Sequence, residues 1–171
     1  MNIEEMICQH EEWCIDHSKG QRADFTGMDL SYTNFNDRDM RFAIFTNTIL
    51  ITTSFRNTDL RGAQFNGAVM WGVDLSGASL IEANLDGVDL RHCHMEGTTG
   101  NGVDIFSAHF SPWPVSWTKT HLQIGCQRYP IDTWWRYSDE AINNMHPHAL
   151  SWWKKWKSVI QQLVIISRST A

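Results

Sequence analysis

The chain has few of the residues that staple a fold or signal an active site. Its four cysteines, Cys8, Cys14, Cys93 and Cys126, are scattered. No pair has the close spacing of a zinc knuckle or redox motif. So few cysteines in a chain this long argue against a disulfide framework, and they read as free thiols in a reducing compartment. Long apolar runs are also missing. Leu163-Val164-Ile165-Ile166 is the longest near the end, far too short to span a bilayer. Met1 to Glu5 lacks a basic segment followed by an apolar one, so no signal peptide is expected. The reading is a soluble, cytoplasmic protein with no membrane contact. There is no glycine-rich phosphate loop and no nucleophile elbow. No catalytic residue and no cofactor are assigned.

The formal net charge is modest, −5 in 171 residues, but unevenly spread. Residues 1–21 hold five acids against one lysine, and residues 22–110 eleven acids against six arginines. Residues 111–171 hold three acids against seven lysines and arginines. An acidic body with a basic tail argues against direct contact with nucleic-acid phosphates. It suits a basic protein partner.

What the sequence does have is a period of five. From Phe25 to Met95 every fifth residue is Phe, Leu or Met, without exception. Gly100 interrupts, and Ile105 and Phe110 resume in phase. Helices repeat near 3.6 residues and strands at 2.0, so a run at five requires another object. Two positions earlier stands a second series of small or β-branched residues, among them Ala23, Ala43, Thr48, Thr53, Thr58, Ala63, Ala83 and Cys93. Glycine recurs two residues after the large one, as at Gly27, Gly62, Gly67 and Gly77. One large and one small side chain per pentad thus point inward, and glycine eases the corner.

Ala23-Asp24-Phe25-Thr26-Gly27 and Ala83-Asn84-Leu85-Asp86-Gly87 resemble the pentapeptide-repeat family. The resemblance implies an all-β solenoid, a right-handed quadrilateral β-helix of four pentads per coil, over residues 22–110. It predicts four columns at twenty-residue spacing. The first holds Phe25, Phe45, Phe65, Leu85 and Ile105, and the second Leu30, Leu50, Met70, Leu90 and Phe110. Phe35, Phe55, Leu75 and Met95 make the third, and Met40, Leu60, Leu80 and Gly100 the fourth. Stacked coils satisfy one another's backbone groups, but both ends need caps. Arg38 falls in an inward slot, where an unpaired charge is costly. In the first coil it can snorkel out of the open end.

Residues 1–21 read as a helical N-terminal cap, with Ile3, Met6, Ile7, His10 and Cys14 at helical spacing. Residues 111–171 read as a Trp-rich helical C-terminal cap or dimerisation segment. Seven of the nine tryptophans lie there. Pro112, Pro114 and Pro130 predict an irregular crossing. Ser138 opens a short helix, and Pro147 a longer one to about Ile166. This tail resembles those of phage and prophage pentapeptide-repeat proteins. Trp beside Lys can signal nucleic-acid stacking, but packing is the favoured reading. His109, His121, His146 and His148 near Cys126 match no familiar metal site, and no metal is assigned.

These features point to a non-catalytic protein-protein interaction module, binding or inhibiting a protein partner. A homodimer through the C-terminal segment is a further expectation. Family analogy supplies an alternative, a DNA mimic that antagonises a DNA-binding enzyme such as gyrase, or a phage-encoded inhibitor of a host defence. The expected contact patch is on the second face, at Ile49, Ile51, Val69 and Trp71, with Tyr32 before them. These outward positions should be polar, as they are at Asp89 and Arg91. Coils about 4.8 Å apart bring the four into one apolar patch, which marks contact unless the chain's own helix or tail covers it.

Overall fold

The structure is a computed structural model. It describes residues 2–90, 92–110 and 112–169, and only the backbone of His109 and Ser169. The order is helix α1 (Ile3–Ile15), the coiled rod, and a C-terminal unit. That unit comprises strands β1 (Phe106–Phe110), β2 (Trp113–Trp117), β3 (His121–Ile124) and β4 (Gln127–Pro130), then helices α2 (Ile131–Arg136), α3 (Asp139–Asn143) and α4 (Ala149–Ser169).

The rod follows from the pentad chemistry. Parallel bridges join residues twenty apart, from Asp24↔Ile44 through Ser79↔Thr99. Phe25 N–H donates to Ile44 O at 2.8 Å, and Ile44 N–H returns to Ala23 O at 3.0 Å. Each corner closes with a bond such as Met28 N–H to Phe25 O, 3.0 Å. The second corner residue takes positive φ, as at Gly27, Gly62 and Gly77, which makes the corners type II turns. Asp or Asn before the large residue accepts the corner N–H. Asp24 takes Thr26 N–H at 2.9 Å, Asn34 takes Asn36 at 2.8 Å, and Asp74 takes Ser76 at 2.9 Å. The recurring carboxylates are thus corner pins, and these bonds hold Asp24 and Asp29 below the usual carboxylate range.

Inside, the large residues stack in columns. Phe45 lies parallel to Phe25 at 5.1 Å and to Phe65 at 4.9 Å. It meets Phe35 and Phe55 edge to face at 5.7 and 5.4 Å. The small series is satisfied too. The hydroxyls of Thr48, Thr53, Thr58 and Thr98 donate to carbonyls 23 residues back, at 2.7–2.9 Å. The Cys93 thiol does the same to Met70 O at 3.1 Å. Burial pushes that thiol up to about 12.

α1 caps the first coil. Asn2 accepts Glu5 N–H at 2.8 Å as the N-cap. Ile7 and His10 are buried. His10 Nδ1 accepts Ala23 N–H at 3.0 Å, standing where a preceding coil's carbonyl would. Gly20 turns the chain from helix to rod at φ +58, and a Cβ there would lie 2.1 Å from Gln9 O. Arg38 does leave through this end. It pairs with Glu4, and with Glu11 at 3.2 Å, so its charge fastens the cap.

The His10 cap depends on a neutral ring. Burial lowers its pKa, with the Asp39 charge opposing and the Arg22 charge assisting. The unfolded imidazole takes a proton near about 6.5. The contribution is therefore full above that pH and is lost as pH falls toward the folded value. A melting profile between pH 7.5 and 5 should show this loss in the wild type and lack it in His10→Gln. Parallel profiles for the two would contradict the assignment.

The other end departs from the sequence reading. Ile105 is buried in the rod core as expected, but the ladder ends at Thr99. Residues 106–110 do not continue the coil. Phe110 is absent from the second column. It pairs with Trp113 across β1 and β2 and packs on Trp152 and Trp156. Nor is the crossing from 112 to 130 irregular. It is an antiparallel meander in the order β1-β2-β3-β4, so the C-terminal segment is a small α+β unit rather than purely helical. Pro130 sits on the edge strand, where its missing N–H is tolerated. Pro114 pairs with His109 and still accepts Gly125 N–H at 2.9 Å. The predicted helices near 139 and 149 are present, with Ser138 capping α3 at 3.2 Å.

This unit caps the last coil by imitating the next one. Met95 N–H donates to Gln123 Oε1 at 3.0 Å, and Ser116 Oγ donates to Met95 O at 2.8 Å. The Arg128 guanidinium donates to Cys93 O and Leu90 O, and in the segment before β1 Asn101 Nδ2 donates to Ala83 O at 3.0 Å. Behind the meander Trp117, Trp134, Trp152 and Trp153 are buried in a second core. Three of these indole N–H groups find partners, Trp117 in Ser167 Oγ at 2.8 Å, Trp134 in Leu122 O at 2.7 Å and Trp152 in Phe110 O at 3.1 Å. No described helix is long and apolar enough to cross a membrane.

Candidate interaction surface

The second face is built from three outward columns. The first reads Asp29, Ile49, Val69 and Asp89. Ile49 bridges Asp29 on one side and Val69 on the other. The second, at the corner, reads Ser31, Ile51 and Trp71, and the third Tyr32, Thr52 and Gly72. On the third face the position of Ile49 is held by Asn34, Ser54, Asp74 and His94, and on the fourth by Asp39, Asp59, Ser79 and Thr99. Asn34, Asp74, Asp39 and Asp59 among them pin their corners. Ile49 and Val69 carry no acceptor to offer, so the second face gives up that local bond in two successive coils.

The apolar groups stay in solvent. Relative exposure is 77% for Tyr32, 56% for Trp71, 48% for Val69 and 37% for Ile49. Ile51 is half-buried. Neither α1 nor the C-terminal unit covers the patch. The Trp71 ring rests on His92 of the following coil, centroids 3.6 Å apart. Arg91, the polar contrast read from the sequence, lies outside the described residues. Tyr32 and Thr52 hold φ of +62 and +56, as the corner residues Asp37, Phe42, Asn47, Asn57 and Glu82 of the other faces do at similar values, so positive φ belongs to the rod's turns.

The third and fourth faces carry internal ion pairs. Arg41 bonds Asp39, and Arg61 bonds Asp59, both at 2.6 Å. Arg56 bonds Asp74 at 2.9 Å. Sequence reasoning missed Phe42, which is exposed and lies over Gly62. Its corner position is usually polar or glycine, and that exception was the available signal. It also missed an apolar hollow of about 100 Å³ in the C-terminal unit, walled by Trp113, Trp134, Trp152 and Trp153 with Cys126 and His146.

His146 and His148 lie 5.6 Å apart. Among the described residues no three His, Cys, Asp or Glu side chains come together as a metal set. The His109 side chain lies outside the described residues. Burial raises the Cys14 thiol to about 12, and it sits beside His10 at 3.5 Å.

Comparison with known proteins agrees with the geometry. A family model of pentapeptide repeats matches residues 21–57 and 58–97, in eight copies. Residues 21–97 belong to the pentapeptide-repeat family. The pentapeptide-repeat segment is similar to that of a protein from Nostoc Pcc 7120, at 28% identity and a TM-score of 0.45. That match covers 46% of this chain and 65% of the other. A pentapeptide-repeat protein from the Arabidopsis thaliana thylakoid lumen is 30% identical, with a TM-score of 0.35, over 47% of this chain and 59% of its own. A plasmid-mediated fluoroquinolone resistance protein is 22% identical, with a TM-score of 0.24, over 47% and 59%. The chain thus spans less than two thirds of each of these structures. No curated protein matches it in sequence.

Proposed function

We propose that the chain is a non-catalytic interaction module that binds a protein partner through the second face of its rod, and acts by occupying or blocking that partner. The observation that carries this is the exposed, contiguous patch of Ile49, Ile51, Val69, Trp71 and Tyr32. It gathers apolar residues from successive coils of one face, where the other faces carry them singly, as at Ile44, Phe42 and Ile81, on a scaffold stiffened by stacked phenylalanines. A contiguous apolar patch marks a contact surface, and exposed Trp and Tyr are the residues that dominate binding energy.

Imitation of a DNA duplex draws less support. The arginines at 38, 41, 56 and 61 offset acids within the body. About four coils at roughly 4.8 Å make a rod of only about 19 Å. Both ends are covered by the chain's own caps, which removes extension through the coils. Nucleic-acid stacking by the tail is disfavoured because most of its indoles are buried.

Trp71→Ala with Ile51→Ser tests the reading. Partner affinity should fall by at least about tenfold, about 1.4 kcal/mol. The melting temperature should hold, since Trp71 is exposed and the patch supports no other element. Unchanged capture of the same partner, with the fold intact, would sink it.

A further inference from the structure

We propose that the hollow in the C-terminal unit is a binding site for a small neutral aromatic molecule of one ring. The site is separate from the second face of the rod and does not depend on it.

Strands and helices of the unit converge on the hollow. β2 brings Trp113, α2 Trp134, α3 Ile142, and the start of α4 Trp152 and Trp153. The hairpin turn Gly125-Cys126 between β3 and β4 adds the remaining side. Ile124 and Gln127 pair across that turn, and Gly125 holds φ +54, as a two-residue hairpin with glycine first requires. A Cβ at Gly125 would stand 3.3 Å from Trp113 Cδ1, so glycine lets the turn close on the indole. Ile124, Trp134, Ile142, Trp152 and Trp153 are buried, while Cys126 and His146 are exposed. The first group makes the walls and the second the rim.

The chemistry of the walls selects the occupant. A water held in a cavity needs roughly two to four polar partners. The side chains of Ile124, Ile142 and Ala149 offer none. Trp134 and Trp152 donate their indole N–H groups to Leu122 O and Phe110 O, neither of which lines the hollow. An unfilled apolar hollow forfeits the dispersion contacts of its lining, and an apolar guest restores them. The volume is about 100 Å³. An engineered cavity of about 150 Å³ in another protein takes up benzene, so one ring is the limit here.

The indoles favour a flat guest. Trp113 and Trp152 meet at 74° and 5.3 Å, and Trp134 and Trp153 at 41° and 5.5 Å. Rings inclined in this way offer edges as well as faces, and an aromatic guest gains contacts from both that an aliphatic one lacks. Cages of tryptophan also take cations. Here no Asp or Glu is among the described residues of the lining, and Lys157 Nζ already lies over the Trp153 ring at 5.4 Å. No Lys or Arg lines the hollow either, so a carboxylate would enter unpaired. A neutral polar substituent is met at the rim. There His146 Nδ1 accepts His148 N–H at 3.2 Å, which leaves Nε2 of the neutral ring as a donor.

Alkylation of the full chain by iodoacetamide tests the site, read at each cysteine by mass spectrometry. Cys126 stands at the rim, and Cys8, also exposed, is the internal control. Toluene and anisole are the probes, each near aqueous saturation, with cyclohexane and tetramethylammonium for comparison. Either probe should slow alkylation of Cys126 by at least about fivefold and raise the melting temperature, as mass action requires of a ligand of the folded state. Cys8 should react at an unchanged rate. Ala149→Leu fills the hollow from the start of α4 and should abolish both effects. If that variant melts early, Met145→Phe takes its place. Absence of protection by both probes overturns the site. So does an equal slowing at Cys8, or protection that survives in a folded, filled variant. Equal protection by cyclohexane overturns the aromatic selection, and protection by tetramethylammonium overturns the neutral one.

Discussion

Phe45→Ala should lower the stability of the folded chain by about 3–5 kcal/mol. Phe45 is fully buried, stacked between Phe25 and Phe65 and flanked edge to face by Phe35 and Phe55. Removing it deletes the transfer energy of a whole ring and four aromatic contacts. The backbone around it is pinned above and below by ladder bonds, so the site cannot collapse to refill the space. Guanidinium denaturation measures the loss. Tyr32→Ala, at 77% exposure, serves as the control and should shift stability by less than about 0.5 kcal/mol. A Phe45→Ala loss below about 1 kcal/mol would mean that the column is not the core of the rod.

Truncation after Pro112 should abolish soluble folded protein. It removes Ser116, Gln123 and Arg128 together, and so strips Met95 N–H of its acceptor and Cys93 O of its donor, and leaves Met95 O and Leu90 O with only their corner bonds. An uncovered coil is an open strand edge, a template for aggregation. Gln123→Leu gives a milder version. It leaves the Met95 N–H buried without an acceptor, at roughly 1–3 kcal/mol. Arg128→Met is the less informative change, because Arg128 is itself poorly housed. Its Nε has no hydrogen-bond partner, and burial lowers its pKa. Removing it relieves a desolvated charge as well as a cap. A truncated chain that is monomeric, soluble and cooperative on melting would contradict the capping role.

The rod was legible because its rule is local. Phe25, Phe45 and Phe65 stack because each pentad repeats the same inward pair, and periodicity alone sets the register. Arg38 was legible for a related reason, since a charge in an inward slot of the first coil has one exit, although its partners Glu4 and Glu11 were not foreseen. The patch at Ile49, Ile51, Val69 and Trp71 was readable as a break in the outward polar pattern. The C-terminal unit was not. Pro114 and Pro130 spoke against strands, and Gln123 and Ser116 look like ordinary polar residues in four- and five-residue strands. Their role comes from what lies across from them, the unpaired last coil, and no spacing encodes that. Phe110 misled for the opposite reason. It keeps the five-residue phase by position, while the tight connection to Trp113 commits residues 106–110 to antiparallel pairing.

A photo-crosslinking amino acid placed at position 71 tests the central claim, that the second face is where this protein touches another, most directly. Asp86 is exposed at the equivalent corner of the first face and takes the same probe as the control. With both proteins folded to equal melting temperatures, position 71 should give a discrete crosslinked species of defined mass, and position 86 should give none. Equal crosslinking from both positions, or none from position 71, would contradict the account.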